Sequence, residues 1–230
     1  MTNPNHRYRF EKKYIISTET ARVLSQRLSY VMRPDAAGLN GRYRVSTLYF
    51  DDCHNTTFHE KLGGALTRDK YRVRYYDGNL SKIRLERKHK HGEMVYKEGA
   101  LVSPAQYELM RRSEYAFMRE ESAPVFGQFH IAHVIGQMRP VVMVVYERQA
   151  YVYQAGNTRV TFDTGLTANA PDSDHDIGIL AKSDVVMEIK FDHFVPSLIS
   201  EMITGFPLTQ LSVSKFLMAK MTLQGMHCYV

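Results

Sequence analysis

In the segment Lys70-Tyr71-Arg72-Val73-Arg74-Tyr75, basic and apolar or aromatic side chains alternate residue by residue. Along a β-strand residues i and i+2 share a face, so this segment presents Arg72 and Arg74 on one side and Tyr71, Val73 and Tyr75 on the other. The arrangement recurs. Arg7, Arg9, Glu11 and Lys13 share a face in a strand expected over 7–16. Arg84, Glu86 and Lys88 line up over 83–89, opposite Ile83 and Leu85. Lys97 is central to a strand over 94–101, and Arg148 follows Tyr146 and Val144 over 141–153. Arg159, Thr161 and Asp163 align over 159–163, and Glu188 and Lys190 align with Val186 over 185–191. With 43–51 and 69–76 this gives eight strand-like segments.

Helices interrupt them. One follows Ser17, with Leu24 and Leu28 four apart. Ser103-Pro104-Ala105-Gln106 has capping-box spacing and Pro at the first helical position. Others are expected over 125–137 and 207–221, with a short one opened by Pro196. The class is α+β with a large antiparallel sheet, and with no repeat or long linker the 230 residues read as a single domain over 1–230.

An ordinary sheet with one wet face also alternates in this way. A wet face, however, mixes Thr, Ser, Gln, Lys and Glu, whereas here Arg and Lys recur at nearly every strand centre. The helices need apolar surface to cover, and the other strand faces supply it. Apolar faces outward and charged faces inward describe a barrel with a polar lumen. An empty lumen of like charges is costly, so a polyanion is the fitting occupant. Arg pairs two phosphate oxygens with its planar fork and Lys adds a compact charge. The acids Glu11, Glu86, Asp163 and Glu188 are either salt-bridge partners or ligands for a divalent cation that bridges phosphates. The net charge of +6 agrees with an anionic partner without choosing one.

Taken in order, these segments resemble the triphosphate tunnel metalloenzyme superfamily, and most closely the polyphosphate-polymerase domain of the vacuolar transporter chaperone family with its bacterial relatives. The resemblance is carried by Arg9-Phe10-Glu11-Lys12-Lys13-Tyr14, Thr47-Leu48-Tyr49-Phe50-Asp51, the Lys70–Tyr75 segment, Leu85-Glu86-Arg87-Lys88 and Val95-Tyr96-Lys97. It continues through Tyr146-Glu147-Arg148-Gln149-Ala150-Tyr151, Arg159-Val160-Thr161-Phe162-Asp163, Met187-Glu188-Ile189-Lys190 and Ser214-Lys215-Phe216.

The resemblance implies an antiparallel eight-stranded β-barrel tunnel with flanking helices and a C-terminal helix near one mouth. It implies transfer of the γ-phosphate of ATP to an inorganic polyphosphate chain held in that tunnel, with Mn²⁺ or Mg²⁺. Carried over by position, Lys13, Arg72, Arg74, Lys88, Lys97, Arg148, Arg159 and Lys215 become the phosphate-handling residues. Arg9, Ser214 and Lys190 become further contacts, and Glu188 and Glu11 the metal-side carboxylates. The hydrolytic branch carries two glutamates and a lysine at alternate first-strand positions. Arg9 stands at the first of these, which favours the polymerase branch. Ser212 stands where the polymerase has a second lysine. The regulatory domain and membrane helices that accompany the eukaryotic polymerase are not in this sequence, so a separately encoded membrane-protein partner is expected.

Two other functions stay open: a triphosphatase, and a non-catalytic polyphosphate or nucleotide sensor. Nucleic acid is not an expected partner, because no exposed aromatic platform is visible. There is no Walker loop and no dinucleotide fingerprint. The polar, basic start of the chain and the absence of a long apolar run favour a cytoplasmic protein that does not enter a membrane directly. Cys53 and Cys228 read as free thiols. His89 and His91 at a strand end, and the acidic stretch around Asp172, Asp174 and Asp176, are set aside as metal sites for want of ligand spacing.

Overall fold

A computed structural model describes residues 8–173 and 175–226 of the chain; Arg7, Asp174 and Cys228 lie outside them. The strands are β1 (Phe10–Ser17), β2 (Arg33–Pro34), β3 (Arg42–Asp51), β4 (Thr67–Tyr76), β5 (Asn79–His91), β6 (Met94–Val102), β7 (Arg139–Tyr153), β8 (Thr158–Asn169), β9 (Ile177–Gly178) and β10 (Asp184–Phe191). The helices are α1 (Thr18–Ser29), α2 (Thr56–Leu62), α3 (Pro104–Arg111), α4 (Pro124–Gly136), α5 (Ser197–Ile203) and α6 (Lys215–Leu223).

Eight strands form one antiparallel path in the order β1-β10-β8-β7-β3-β4-β5-β6, with β2 added to β7 and β9 to β8. The path curls until its two edges meet. Arg9 N donates to Val95 O at 3.0 Å, and Val95 N donates back to Arg9 O at 3.2 Å. The eight-stranded antiparallel tunnel is as expected; beyond that bridge its sheet is not closed. The reason is a competing partner. Leu211 N donates to Lys13 O at 2.8 Å, and Tyr14 bridges to Gln210, so the segment before α6 occupies the free edge of β1.

Both outer faces are apolar and covered. Val160, Phe162, Val185, Met187 and Ile189 pack beneath Leu24 and Leu28 of α1 and Ile199 of α5. Leu48, Phe50, Val73, Ile83 and Leu85 pack against Tyr107 and Met110 of α3 and Phe126 and Phe129 of α4. Each such side chain contributes roughly 1.5–3 kcal/mol by leaving water. The caps agree with the sequence: Ser17 accepts from Thr20 N, and Ser103 and Gln106 form the reciprocal capping box.

The inner face is not polar throughout. Val45, Val144, Val186, Leu166 and Ala168 point inward and pack against Phe216, Met218 and Ala219 of α6. Helix α6 is therefore an internal plug over part of the sheet rather than a lid, and the charged lumen is what it leaves uncovered.

Three elements differ from their expected extent. The last helix begins at Lys215 rather than near 207, because 210–213 is extended against β1. Strand β8 continues past Asp163 because Gly165, at φ +59°, and a register shift on β7 between Val145 and Glu147 absorb the interruption as a bulge. Helix α2 is absent from the sequence reading because Thr56 and Thr57 are poor helix formers and its first N–H groups are capped not by its N-cap residue Asn55 but by Asp51 and Asp52 before it. Asp51, at the end of β3, accepts from Thr57 N at 2.9 Å and Phe58 N at 3.2 Å. No helix among the described residues is long and apolar enough to cross a membrane.

Candidate functional site

The uncovered inner face converges on a narrow cavity of about 70 Å³. Strand β4 supplies Lys70, Arg72 and Arg74, and β5 and β6 supply Lys88 and Lys97. Across the lumen stand Arg148 of β7, Lys190 and Glu188 of β10, and Lys13 and Glu11 of β1. Ser214, Lys215 and Phe216 enter from the start of α6, and Tyr49 and Tyr146 complete the wall. The i, i+2 periodicity places these cations on the inner face, and on β4 and β10 the neighbouring residues Tyr71, Val73 and Ile189 are committed to the outer cores.

Two of the acids are fully engaged by arginine. Asp163 takes Arg148 through Nε at 2.6 Å and through a second nitrogen at 2.8 Å, and Lys215 Nζ lies 2.6 Å from it. Burial raises the Asp163 pKa, but Arg148 and Lys215 outweigh it and hold the carboxyl at about 2. Glu86, half-buried, accepts from Arg72 Nε at 2.7 Å; partial burial raises its pKa, but Arg72 outweighs that and holds it well below the usual carboxylate range. The expectation that all four lumen acids are metal candidates therefore narrows.

Glu11 and Glu188 are different. Lys190 Nζ lies 3.2 Å from Glu188 and 3.9 Å from Glu11, and Lys13 Nζ lies 3.6 Å and 3.9 Å from the same two residues. The two carboxylates thus share two ammoniums, and Lys88 donates to Glu11 at 2.7 Å. Burial raises the Glu11 pKa; Lys88 opposes that, with Lys190 and Lys13, and the carboxyl stays ionised at about 2. Among the described residues no group of three or more His, Cys, Asp or Glu forms a metal cluster. Two carboxylates suffice for a Mg²⁺-like ion that takes its remaining ligands from phosphate and water, so this pair fits such an ion.

Other cations of the cavity have no carboxylate within salt-bridge distance among the described residues. Arg74 Nε donates to Thr47 Oγ1 at 3.0 Å, and Lys70 Nζ reaches Ser214 Oγ at 3.2 Å over the Phe216 ring. Burial drives the Lys70 ammonium well below its ordinary value, and Lys88 and Lys13 add like-charge repulsion. At Lys97 the surrounding protein pushes the ammonium down to about 7, with Glu86 opposing and Arg72 adding to the shift. The Lys97 side chain is nevertheless in contact with water, which screens its repulsion from neighbouring cations.

Of the residues singled out from sequence, Lys13, Arg72, Arg74, Lys88, Lys97, Arg148, Lys190, Ser214, Lys215, Glu11 and Glu188 are brought together around this cavity. Arg9 and Arg159 are not. They line a separate recess with Arg33 and Asp35. There Arg159 pairs with Asp35 at 2.5 Å and contacts the Tyr43 hydroxyl, while Arg9 pairs with Asp192 at 3.2 Å. Lys70, Tyr49 and Tyr146 were not singled out. Lys70 was within reach, since it stands two residues before Arg72 on the same face.

On one side the cavity opens into a wider vestibule of about 380 Å³. Glu11, Lys13, Lys70, Lys88 and Ser214 belong to both walls, and the vestibule adds Lys61, Arg68 and Lys90. Lys61 Nζ donates to Ser212 Oγ at 2.6 Å, so an ammonium from α2 stands at the position where a lysine was expected in place of Ser212.

The model of the VTC domain family matches residues 8–224. This chain belongs to the VTC domain family. Its fold is shared with two solved structures of low sequence identity. It is similar to the crystal structure of a candidate adenylate cyclase from Bacillus halodurans, with a TM-score of 0.58 and 16% identity over 91% of this chain and 95% of that one. It is similar also to a candidate adenylyl cyclase from Hippeastrum, for which a dominant triphosphatase activity is described, with a TM-score of 0.57 and 16% identity over 95% and 96% of the two chains. A comparison with curated protein sequences gives no match. In this VTC domain the plugged tunnel gathers the lysines and arginines that alternate along the strands around one inner cavity.

Proposed function

We propose that this VTC domain transfers the γ-phosphoryl group of ATP to the end of an inorganic polyphosphate chain held in the basic cavity. The observation that carries this reading is the convergence of nine Lys and Arg side chains with two acids, Glu11 and Glu188, on one narrow cavity wall. In the transfer a terminal phosphate oxygen of the chain attacks the γ-phosphorus; the bond from that phosphorus to the β,γ-bridging oxygen breaks, and ADP leaves. The attacking oxygen is already anionic, so no general base is required. The chain's own residues align the two anions and stabilise charge on the transferred group. Arg74, Lys70 and Lys97 suit this because no carboxylate of the described protein lies within salt-bridge distance of them. Glu11 and Glu188 would hold a divalent cation, which supplies further charge neutralisation between phosphate oxygens.

The test is incubation of the protein with ATP and Mn²⁺ or Mg²⁺, followed by assay of both polyphosphate and free phosphate. Polymer with little free phosphate is expected. Free phosphate without polymer would replace this reading by hydrolysis, the activity described for the Hippeastrum protein of similar fold. The position of Arg9 bears on that choice. Its guanidinium is held by Asp192 and the Asn157 carbonyl, outside the cavity wall, so the first-strand position contributes no third carboxylate beside Glu11 and Glu188.

A further inference from the structure

The inner cavity is narrow, yet its basic character does not stop at its wall. In the vestibule, Arg68 donates to the Ala65 carbonyl at 2.6 Å, and neither Arg68 nor Lys90 has a carboxylate within salt-bridge distance among the described residues. Lys70 has none either, and it belongs to both walls. The acids facing this space are Glu93 and Glu11, and Glu11 is already shared among Lys88, Lys13 and Lys190; Glu60 acts on Arg68 only at longer range. Burial lowers the affinity of Arg68 and Lys90 for their protons, and at Lys90 the neighbouring cations Arg68 and Lys13 add to it. The recess at Arg159 shares no wall residue with the inner cavity, so among the described recesses the vestibule is its continuation.

We propose that the vestibule is a second anion subsite, in which Arg68 and Lys90 hold phosphate groups of a chain whose end lies in the inner cavity, so that the protein discriminates long-chain polyphosphate from short. This rests on the reading of the inner cavity as a phosphate site and names the chain-length class that the combined site takes. A short chain is satisfied by the inner wall. A long chain extends past Ser214 and gains the vestibule contacts as well.

Binding of tripolyphosphate and of long-chain polyphosphate is measured by calorimetry for the wild type and for an Arg68→Gln/Lys90→Gln double variant, with melting temperature as the check on folding. Two charge-assisted contacts predict about a tenfold loss of long-chain affinity, with a flatter salt dependence. Tripolyphosphate affinity is expected to be unchanged, and Lys90→Arg to retain long-chain affinity. An equal loss for both ligands, or a loss for neither, overturns the second subsite while leaving the inner site standing. Failure of the wild type to bind either ligand overturns the inner site and the vestibule together.

Discussion

Lys88 donates to Glu11 at 2.7 Å, yet its ammonium is held down to about 8 against an ordinary 10.5. Burial is the larger cause. Glu11 and Glu188 oppose it, and Lys13 and Lys190 reinforce it. The sign of the consequence follows. Between about pH 8 and 10.5 the folded protein has released a proton from Lys88 that the unfolded chain still carries. In that window rising pH favours the folded state, and below it the empty site bears a penalty for the charge. A bound polyanion reverses the shift by favouring the ammonium. Polyphosphate binding should therefore take up protons above about pH 8, and affinity should fall as pH rises. Calorimetry above pH 8 in two buffers of different ionisation enthalpy measures this, and identical heats in both would refute it. A neutral Lys88→Gln should lose its share of the uptake, with Lys97 and Lys70, whose ammoniums are also held down, supplying the rest. At the same scale, Arg72→Ala removes a guanidinium from the wall and strands Glu86. We expect transfer to fall about 100-fold or more. An unchanged rate in a folded variant would exclude Arg72 from the site.

Asp51 shows how elements far apart in sequence depend on one carboxylate. It ends β3, caps α2 through Thr57 and Phe58, and accepts from Lys220 Nζ of α6 at 3.0 Å, all in a fully buried position. Asp51→Ala leaves two helix N–H groups without their acceptor and the buried Lys220 ammonium without a counter-charge, held only by Asn55 Oδ1 at 2.6 Å. Loss of one side of a buried pair predicts destabilisation of about 3–5 kcal/mol. Denaturant unfolding checks it, and a loss below about 1 kcal/mol would mean that α2 and α6 are held by their apolar contacts alone. The same contacts mark the limit of sequence reading. Strands with i, i+2 alternation, such as β4 and β5, were legible because their period is a local property. The reciprocal cap at Ser103 was legible for the same reason. Helix α2 was not, since its cap comes from the end of a strand. Nor was the late start of the last helix at Lys215, since the pairing of 210–211 with β1 is a long-range choice.

The whole molecule is a curled sheet with apolar cores outside, a helical plug inside and positive charge in the space between. Alternation alone placed the charges on one face but could not say that the face curls inward, that α6 covers part of it, or that Arg159 points into a different recess from Arg148. Those facts depend on curvature and strand stagger. They also lead to a prediction about the molecule as a unit. Cations facing each other across a narrow space with few counter-ions destabilise the empty fold, and a polyanion that fills the space binds the folded form alone. At a ligand concentration one hundred times the dissociation constant, linkage gives about 2.7 kcal/mol of added stability. For a chain of this size that corresponds to a rise in melting temperature of about 5–10 °C. The control is sodium chloride at matched ionic strength. General screening acts on exposed charges and weakly on buried ones, so salt should reproduce only a small part of the rise. If salt and polyphosphate raised the melting temperature equally, the stabilisation would be screening of the surface, and the converging cations would not form a binding site for a chain of phosphates.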